Sequence, residues 1–280
     1  MNVFIASDLH LQGNRPGGDR SLMKLADYVC RYGSSRDVLM LLGDYGNSQK
    51  SIRDCLSLFN PFRGKRLAVI GNHDLWERSR VPETINRYRL IQEIIESTGF
   101  HALDRAPLVI GDFAFVGNIG WYDYSFRDLA DVPIEAYETK TIPGAKLACW
   151  FDACYVNWSD SDSEVTAQMT GSLKKQLGRL NGEKVIVGMH HVPTKKLLFH
   201  PRSMVPYEWR FANCFLGSNQ FAELFSQARE RIDHVFCGHI HRFKSLRDGG
   251  VRYTSVGSDY DRKQLLVYDP IDKKIIKKKF

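Results

Sequence analysis

The stretch Arg66–Asp74, "RLAVIGNHD", decides how this chain folds. Its first half is a short apolar run, the pattern of a strand buried on both faces of a sheet. Its second half sets a glycine, an amide, an imidazole and a carboxylate side by side where that strand leaves the sheet. Gly71 and Asn72 alone would serve a turn; a turn has no need of His73 and Asp74. The same juxtaposition recurs along the chain. Asp8 and His10 follow "VFIAS" (3–7), Asp44 follows "DVLMLLG" (37–43), His190 follows "KVIVGM" (184–189), and His239 and His241 follow "HVFCG" (234–238).

Between these runs the spacing turns helical. Leu22, Leu25, Ala26, Val29 and Cys30 share one face of a helix that Asp19 can cap and Gly33 can end. Pro82 suits the first position of a second helix, with Ile85, Tyr88, Ile91 and Ile95 on one face and Gly99 beyond it. Helical spacing returns at 165–180 and again through Phe221, Leu224, Phe225 and Ala228. "LVIGDFAFVGN" (108–118) reads as two strands joined by a Gly-Asp turn. "FKSLRDGGVRYTSVG" (243–257) reads as a hairpin around Asp248, Gly249 and Gly250, followed by strands at "QLLVYD" and "KIIKKKF". From Trp121 to Trp158 the chain is rich in aromatics and shows no clear strand. Strands alternating with crossover helices define an α/β protein. With no repeat and no linker, a single domain over 1–280 is expected.

The chain has 280 residues, 43% hydrophobic and 25% charged, ordinary values for a globular protein. The formal charge of +7 favours polyanions, but much of it sits in Lys273, Lys274, Lys277, Lys278 and Lys279, the pattern of a solvated edge strand or tail. The start, "MNVFIASDLH", has no secretion signal, and no apolar run reaches the length of a membrane span. The six cysteines form no C-x-x-C pair and read as reduced thiols, so a cytoplasmic location is expected.

The carboxyl ends of the strands in an open α/β sheet line one crevice, so the five polar clusters can converge. Any one of them has an ordinary structural explanation. Five together do not, because carboxylates and imidazoles buried side by side without a cation leave polar groups unpaired. Carboxylate, amide oxygen and neutral imidazole suit a pair of divalent ions, Mn²⁺ first, with Fe, Zn²⁺ or Ni²⁺ as alternatives; no thiolate is in the set. Two dications, two carboxylates and one hydroxide leave roughly one net positive charge, which favours an anionic substrate such as a phosphate ester.

The blocks "DLH" (8–10), "GDYGN" (43–47), "GNHD" (71–74), "MHH" (189–191) and "GHIH" (238–241) resemble, in order and kind, those of the calcineurin-like metallophosphoesterases. That resemblance implies a four-layer αββα sandwich of two mixed β-sheets with a dinuclear centre at the strand tips. It implies that Asp8, His10 and His241 hold one metal, that Asn72, His190 and His239 hold the other, and that Asp44 bridges them. It further implies that His73 stabilises the transition state or protonates the leaving oxygen and that Asp74 orients its ring. His191 is left with contributory, substrate-binding and structural roles all open. Asn47 stands where the family commonly has Asp, and the Asp-Arg pair and Glu of the protein-phosphatase branch are missing, which disfavours phosphoprotein substrates.

The expected reaction is hydrolysis of a phosphodiester or phosphomonoester of small or nucleotide-like type, by a hydroxide shared between the metals and attacking phosphorus in line. A nuclease acting on DNA or RNA and a noncatalytic interaction scaffold are the alternatives. Specificity is expected from rim insertions at about 121–160 and 193–212. There Trp121, Tyr122 and their aromatic neighbours offer stacking surfaces, unless they pack the core instead. Arg15, in the loop after the first block, can reach a phosphate.

Overall fold

A computed structural model of the chain describes residues 1–76, 83–129, 132–141, 149–198 and 207–280. Four strands come first: β1 (Val3–Ala6), β2 (Val38–Leu42), β3 (Lys65–Val69) and β4 (His101–Ala102). A second group follows: β5 (Leu108–Ile110), β6 (Phe113–Asn118), β7 (Lys184–Met189), β8 (Ile232–Cys237), β9 (Lys244–Asp248) and β10 (Val251–Ser255). The chain then returns to the first group with β11 (Gln264–Asp269) and β12 (Lys274–Lys279).

They form two six-stranded mixed sheets, ordered β12-β11-β1-β2-β3-β4 and β5-β6-β7-β8-β10-β9. The central pairings β1–β2–β3 and β6–β7–β8 are parallel, so the polar strand exits of each sheet point the same way. The helices, among the described residues, are α1 (Gly18–Tyr32), α2 (Gln49–Ser57), α3 (Asn72–Leu75), α4 (Thr84–Ser97), α5 (Ile134–Glu138), α6 (Asp152–Tyr155), α7 (Asp162–Gly178), α8 (Tyr207–Ala212) and α9 (Asn219–Gln227). The arrangement is the α/β sandwich expected for a metallophosphoesterase.

The central strands are mostly apolar because both of their faces are covered, with polar residues such as Lys65, Lys184 and Asp233 near their starts. Val3, Ile5, Val38, Met40, Leu42, Leu67 and Val69 meet Phe115, Ile186 and Phe236 between the sheets. Their alternates Phe4, Ala6, Leu39, Leu41 and Ala68 pack with Leu22, Leu25, Val29, Ile52 and Ile91 of the helices. Each Val, Leu, Ile, Phe or Met among them, fully buried, contributes about 1.5–3 kcal/mol.

Local details depart from the sequence expectations in places. Helix α1 starts at Gly18 with Gly17 at φ 93 as its cap. Asp19 lies inside the first turn instead, its carboxylate accepting from Asn14 Nδ2 at 2.7 Å. Pro82 lies outside the described residues, and α4 is described from Thr84. The lysine-rich end is an edge strand, as its charge suggested, with Lys274, Lys277, Lys278 and Lys279 exposed.

One buried carboxylate ties the two sheets at their exits. Asp104 accepts from Ile70 N beyond β3 (3.0 Å), from Ile119 N beyond β6 (2.9 Å) and from the Tyr88 hydroxyl of α4 (2.8 Å). Burial nonetheless pushes its carboxyl up to about 7 from an ordinary 3.8, the hydrogen bonds opposing the rise. A raised folded-state value means that this group's contribution is fully present below the unfolded value and is lost as pH rises through about 7. In urea unfolding at a series of pH values, the stability of the parent relative to Asp104→Asn is therefore expected to fall as pH rises from about 4 to about 8. A difference that is flat or grows over that range would contradict the assignment.

Candidate metal centre

The strand exits bend sharply. Asp8, His10, Asp44, His239 and His241 all have positive φ, between 47° and 70°. Asp and His visit this left-handed region more readily than most residues, yet each such conformation costs about 1–3 kcal/mol unless its surroundings impose it. Here hydrogen bonds between neighbouring exits do so: Asp8 N to Gly43 O (3.1 Å), His10 N to Asp44 O (2.8 Å) and Gly238 N to His190 O (3.1 Å). Across the sheets, His239 N donates to Asp8 Oδ1 at 3.0 Å and His190 Nδ1 to Leu42 O at 2.8 Å. Gly71 is extended (φ −109), so the reason for glycine there is space. A Cβ would stand 2.2 Å from Asp44 Oδ1 and 2.3 Å from Asp44 N.

What converges in this crevice is a set of lone pairs. The Leu42 carbonyl can only accept, so His190 carries its proton on Nδ1 and points a bare Nε2 inward. Asn72 Nδ2 donates to Asp152 at 3.0 Å, which turns Asn72 Oδ1 toward that same Nε2 at 3.1 Å. Asp44 Oδ1 is 3.5 Å from it. Among the described residues Asp44 Oδ2, 3.5 Å from His10 Nε2, is buried with no hydrogen-bond partner, and so is His239 Nε2. His239 Nδ1, 3.1 Å from His190 Nε2, can offer it one proton, but the acceptors outnumber the protons and cations between them would complete the set.

Among the described residues two groups of donors meet within 4.8 Å: Asp8, His10, Asp44 and His241, and Asp44, His190 and His239. Asp44 belongs to both, and Asn72 adjoins the second through His190. The donor set fits two divalent ions of the hard-to-borderline kind. Cys237 lies in the apolar cluster at the end of β8 and adds no sulfur.

The electrostatics agree. Burial, then the charges of Asp74 and Asp8, holds the Asp44 carboxyl well above its usual range, a cost that a neighbouring cation removes. Burial would raise Asp8 too, but His241 and His190 outweigh it and leave Asp8 below its usual value. Burial pushes His10 and His239 well down and lowers His190, which keeps these imidazoles neutral, the form that binds metal. His241 is raised, the carboxylates of Asp8 and Asp259 overcoming its burial.

The Asp74 carboxylate is turned to backbone donors and not to the His73 ring. The Asp74 carboxylate is taken up by four backbone N–H groups: Gly71 (2.8 Å), Asp44 (2.9 Å), Tyr45 (2.8 Å) and Gly46 (3.3 Å). It therefore clamps the exit of β2 to that of β3, and the expected contact with the His73 ring is replaced by this clamp. The His73 ring instead stacks on Trp76, with centroids 3.6 Å apart, and meets His10 edge-on at 4.7 Å. Burial, reinforced by His190 and His241, lowers His73 to about 3.

A cavity of about 760 Å³ opens over the cluster. Its floor holds Asp44, Asn72, His73, His239 and His241, and its walls include Trp76, Trp150, Phe151, Leu198 and Trp209. Arg15 reaches its edge, its guanidinium 5.9 Å from the centre of the Tyr260 ring, which stacks on His10 at 4.6 Å. Trp121 and Tyr122, expected at the rim, are wholly buried instead: the Trp121 indole donates to Asp162 and the Tyr122 hydroxyl to Asp152. His191 is buried behind the centre. Its Nδ1 is 3.0 Å from Ile119 O and its ring 4.5 Å from that of His239.

Sequence reasoning missed Asp152, Tyr260 and Lys263. Lys263 is buried, and its ammonium donates to Asp8 O, Asn14 Oδ1 and Asp259 O, each at 2.8 Å. A signal for Asp152 did exist: a single carboxylate within "CWFDACYVNW" (149–158), surrounded by indoles that need acceptors once buried.

The sequence matches the family model for calcineurin-like phosphoesterases over residues 1–243. The chain belongs to this family, and it is a phosphoester hydrolase of a metal-dependent kind. No curated protein matches it. It is similar in structure to the phosphopantetheinyl hydrolase PptH of Mycobacterium tuberculosis, at 20% identity and a TM-score of 0.71, covering 92% of this chain and 89% of that one. It also resembles a putative 5'-nucleotidase of Staphylococcus aureus, at 12% identity and a TM-score of 0.50. That likeness covers 99% of this chain but 52% of the other, so the chain spans about half the nucleotidase's length.

The clamp and the tight approach each carry a prediction. Asp74→Asn, which sets an amide N–H₂ among backbone donors, is expected to lower unfolding free energy by about 1–3 kcal/mol or more. An effect on turnover with no change in thermal or urea midpoint would restore the orienting role. Gly71→Ala is expected to displace Asp44 and abolish binding of at least one Mn²⁺ in equilibrium dialysis. Full uptake of two ions would show that the crowding is harmless.

Proposed function

We propose that one divalent ion is held by Asp8, His10 and His241 and a second by Asn72, His190 and His239, with Asp44 shared. On this reading the enzyme hydrolyses a phosphodiester or phosphomonoester of small or nucleotide-like type. The observation that carries it is the placement of the lone-pair cluster on the floor of a cavity whose walls are aromatic. The ions, when bound, supply charge neutralisation at phosphorus and an acidified water as nucleophile.

The remaining work falls to the chain's own groups. His73 faces the cavity and is held neutral, so it serves as an N–H donor to a phosphoryl or leaving oxygen, its plane fixed by stacking on Trp76. Arg15 adds positive charge at the edge, where it steers a phosphate inward. Trp150 and Phe151 from 121–160, and Leu198 and Trp209 from 193–212, seat the organic part of the ester and exclude water. Mn²⁺ is the first choice of metal. A reducing, cytoplasmic setting fits the free state of all six cysteines, and no described helix is long and apolar enough to cross a membrane.

The test is a screen of Mn²⁺-loaded protein against model diesters, nucleotides, cyclic nucleotides and, given the similarity to a phosphopantetheinyl hydrolase, phosphopantetheinyl diesters. Turnover of none would defeat the proposal. His73→Ala is expected to reduce kcat by about 10²–10⁴-fold while two ions stay bound; parent-level kcat would remove His73 from the chemistry. Trp209, 63% exposed at the cavity mouth, governs substrate affinity. Trp209→Ala should raise KM several-fold with kcat nearly unchanged in steady-state assays.

A further inference from the structure

We infer that Asp152 is the positioning residue of the second metal site, fixing which atom Asn72 presents to the ion and holding the aromatic wall of the cavity in register with it. The inference rests on the ligand assignment proposed above. Asp152 opens α6 and is wholly buried. Among the described residues its hydrogen-bond partners are four neutral donors and no basic side chain. Oδ1 accepts from Asn72 Nδ2 at 3.0 Å and Trp76 Nε1 at 2.7 Å. Oδ2 accepts from Trp150 Nε1 at 2.8 Å and the Tyr122 hydroxyl at 3.1 Å.

The two ends of a side-chain amide have nearly the same shape, so packing alone does not decide which end of Asn72 faces His190 and Asp44. A carboxylate behind it does decide. Oxygen against Asp152 would be repelled, whereas nitrogen against it makes a charge-assisted hydrogen bond. The amide is therefore locked with Oδ1 inward. Donation to a carboxylate also draws electron density onto Oδ1, making it a better ligand for a hard cation.

The same carboxylate reaches the wall. Trp76 backs the ring of His73, and Trp150 lines the cavity with its ring stacked on Phe215 at 5.5 Å. Asp152 thus joins Asn72, the support of His73 and one side of the substrate cavity in a single network, although it lies far from all of them in sequence except Trp150.

The readout is metal binding. In equilibrium dialysis with Mn²⁺, the parent is expected to take up two ions. Asp152→Asn, which removes acceptors and can present oxygen or nitrogen to Asn72 equally, is expected to weaken one of them about 10–100-fold and leave the other near the parent value. Asn72→Ala should show the same selective loss. The double variant should be no worse than Asn72→Ala alone, because Asp152 acts on the ion through that amide. Losses that add would overturn the inference, as would parent affinity for both ions in folded Asp152→Asn.

Should Asp152→Asn fail to fold, side-chain amide exchange in the parent decides. NMR should find the Asn72 N–H₂ group protected from solvent, and rapid exchange would overturn the assignment. Failure of the parent itself to bind two ions would instead defeat the ligand assignment beneath it. Trp150→Phe, which removes one bond to Oδ2 and spares Oδ1, should keep both ions and raise KM.

Discussion

Everything in this structure answers to one constraint, the mutual repulsion of acceptor atoms brought face to face. His190 Nε2, Asn72 Oδ1 and Asp44 meet here, and the single ring proton of a neutral His239 serves at most one of them, its Nδ1 lying 3.1 Å from His190 Nε2 while its Nε2 has no partner among the described residues. Such a cluster tends to spread apart and to draw in water. The fold opposes that tendency with two sheets whose inner faces are closely packed, and with buried ties at their exits. Asp74 joins β2 to β3, Asp104 joins β3 to β6, and Lys263 holds the carbonyl of Asp8. The left-handed residues belong to the same account, since a chain leaving a strand must turn at once if its side chain is to point into the crevice and not along the sheet.

The site therefore has two kinds of carboxylate. Asp8 and Asp44 face inward and are placed to share charge with cations; Asp74, Asp104 and Asp152 face outward and are neutralised by backbone, hydroxyl, amide and indole donors. The difference lies in the partners and not in burial, since all of these groups are almost fully buried. Asp8 and Asp44 each keep one backbone donor, His239 N and His73 N, and the rest of their surroundings are imidazoles suited to sharing a cation.

Much of the centre was legible along the chain because its donors are set by local chemistry. Asp8, His10, Asp44, Asn72, His190, His239 and His241 each follow an apolar run, and parallel strands carry their carboxyl ends to a common edge. The role of Asp74 was not legible. Its neighbour in sequence is His73, but the backbone N–H groups that claim it come mainly from the exit of β2, some thirty residues earlier. Trp121 and Tyr122 misled for a related reason: an aromatic suits a core and a cavity wall equally, and only the position of Asp162 and Asp152 decides between them.

Sequence by itself determined the strand and helix alternation, the donor types and their station at strand exits, because hydrophobic period and side-chain chemistry are properties of adjacent residues. Tertiary structure alone decided the work of Asp74, Asp104, Asp152 and Lys263 and the choice of Trp76, Trp150, Phe151 and Trp209 for the cavity wall. Those outcomes depend on which polar groups from distant segments are buried together, and a hydrogen bond between such segments leaves no periodic trace in either one.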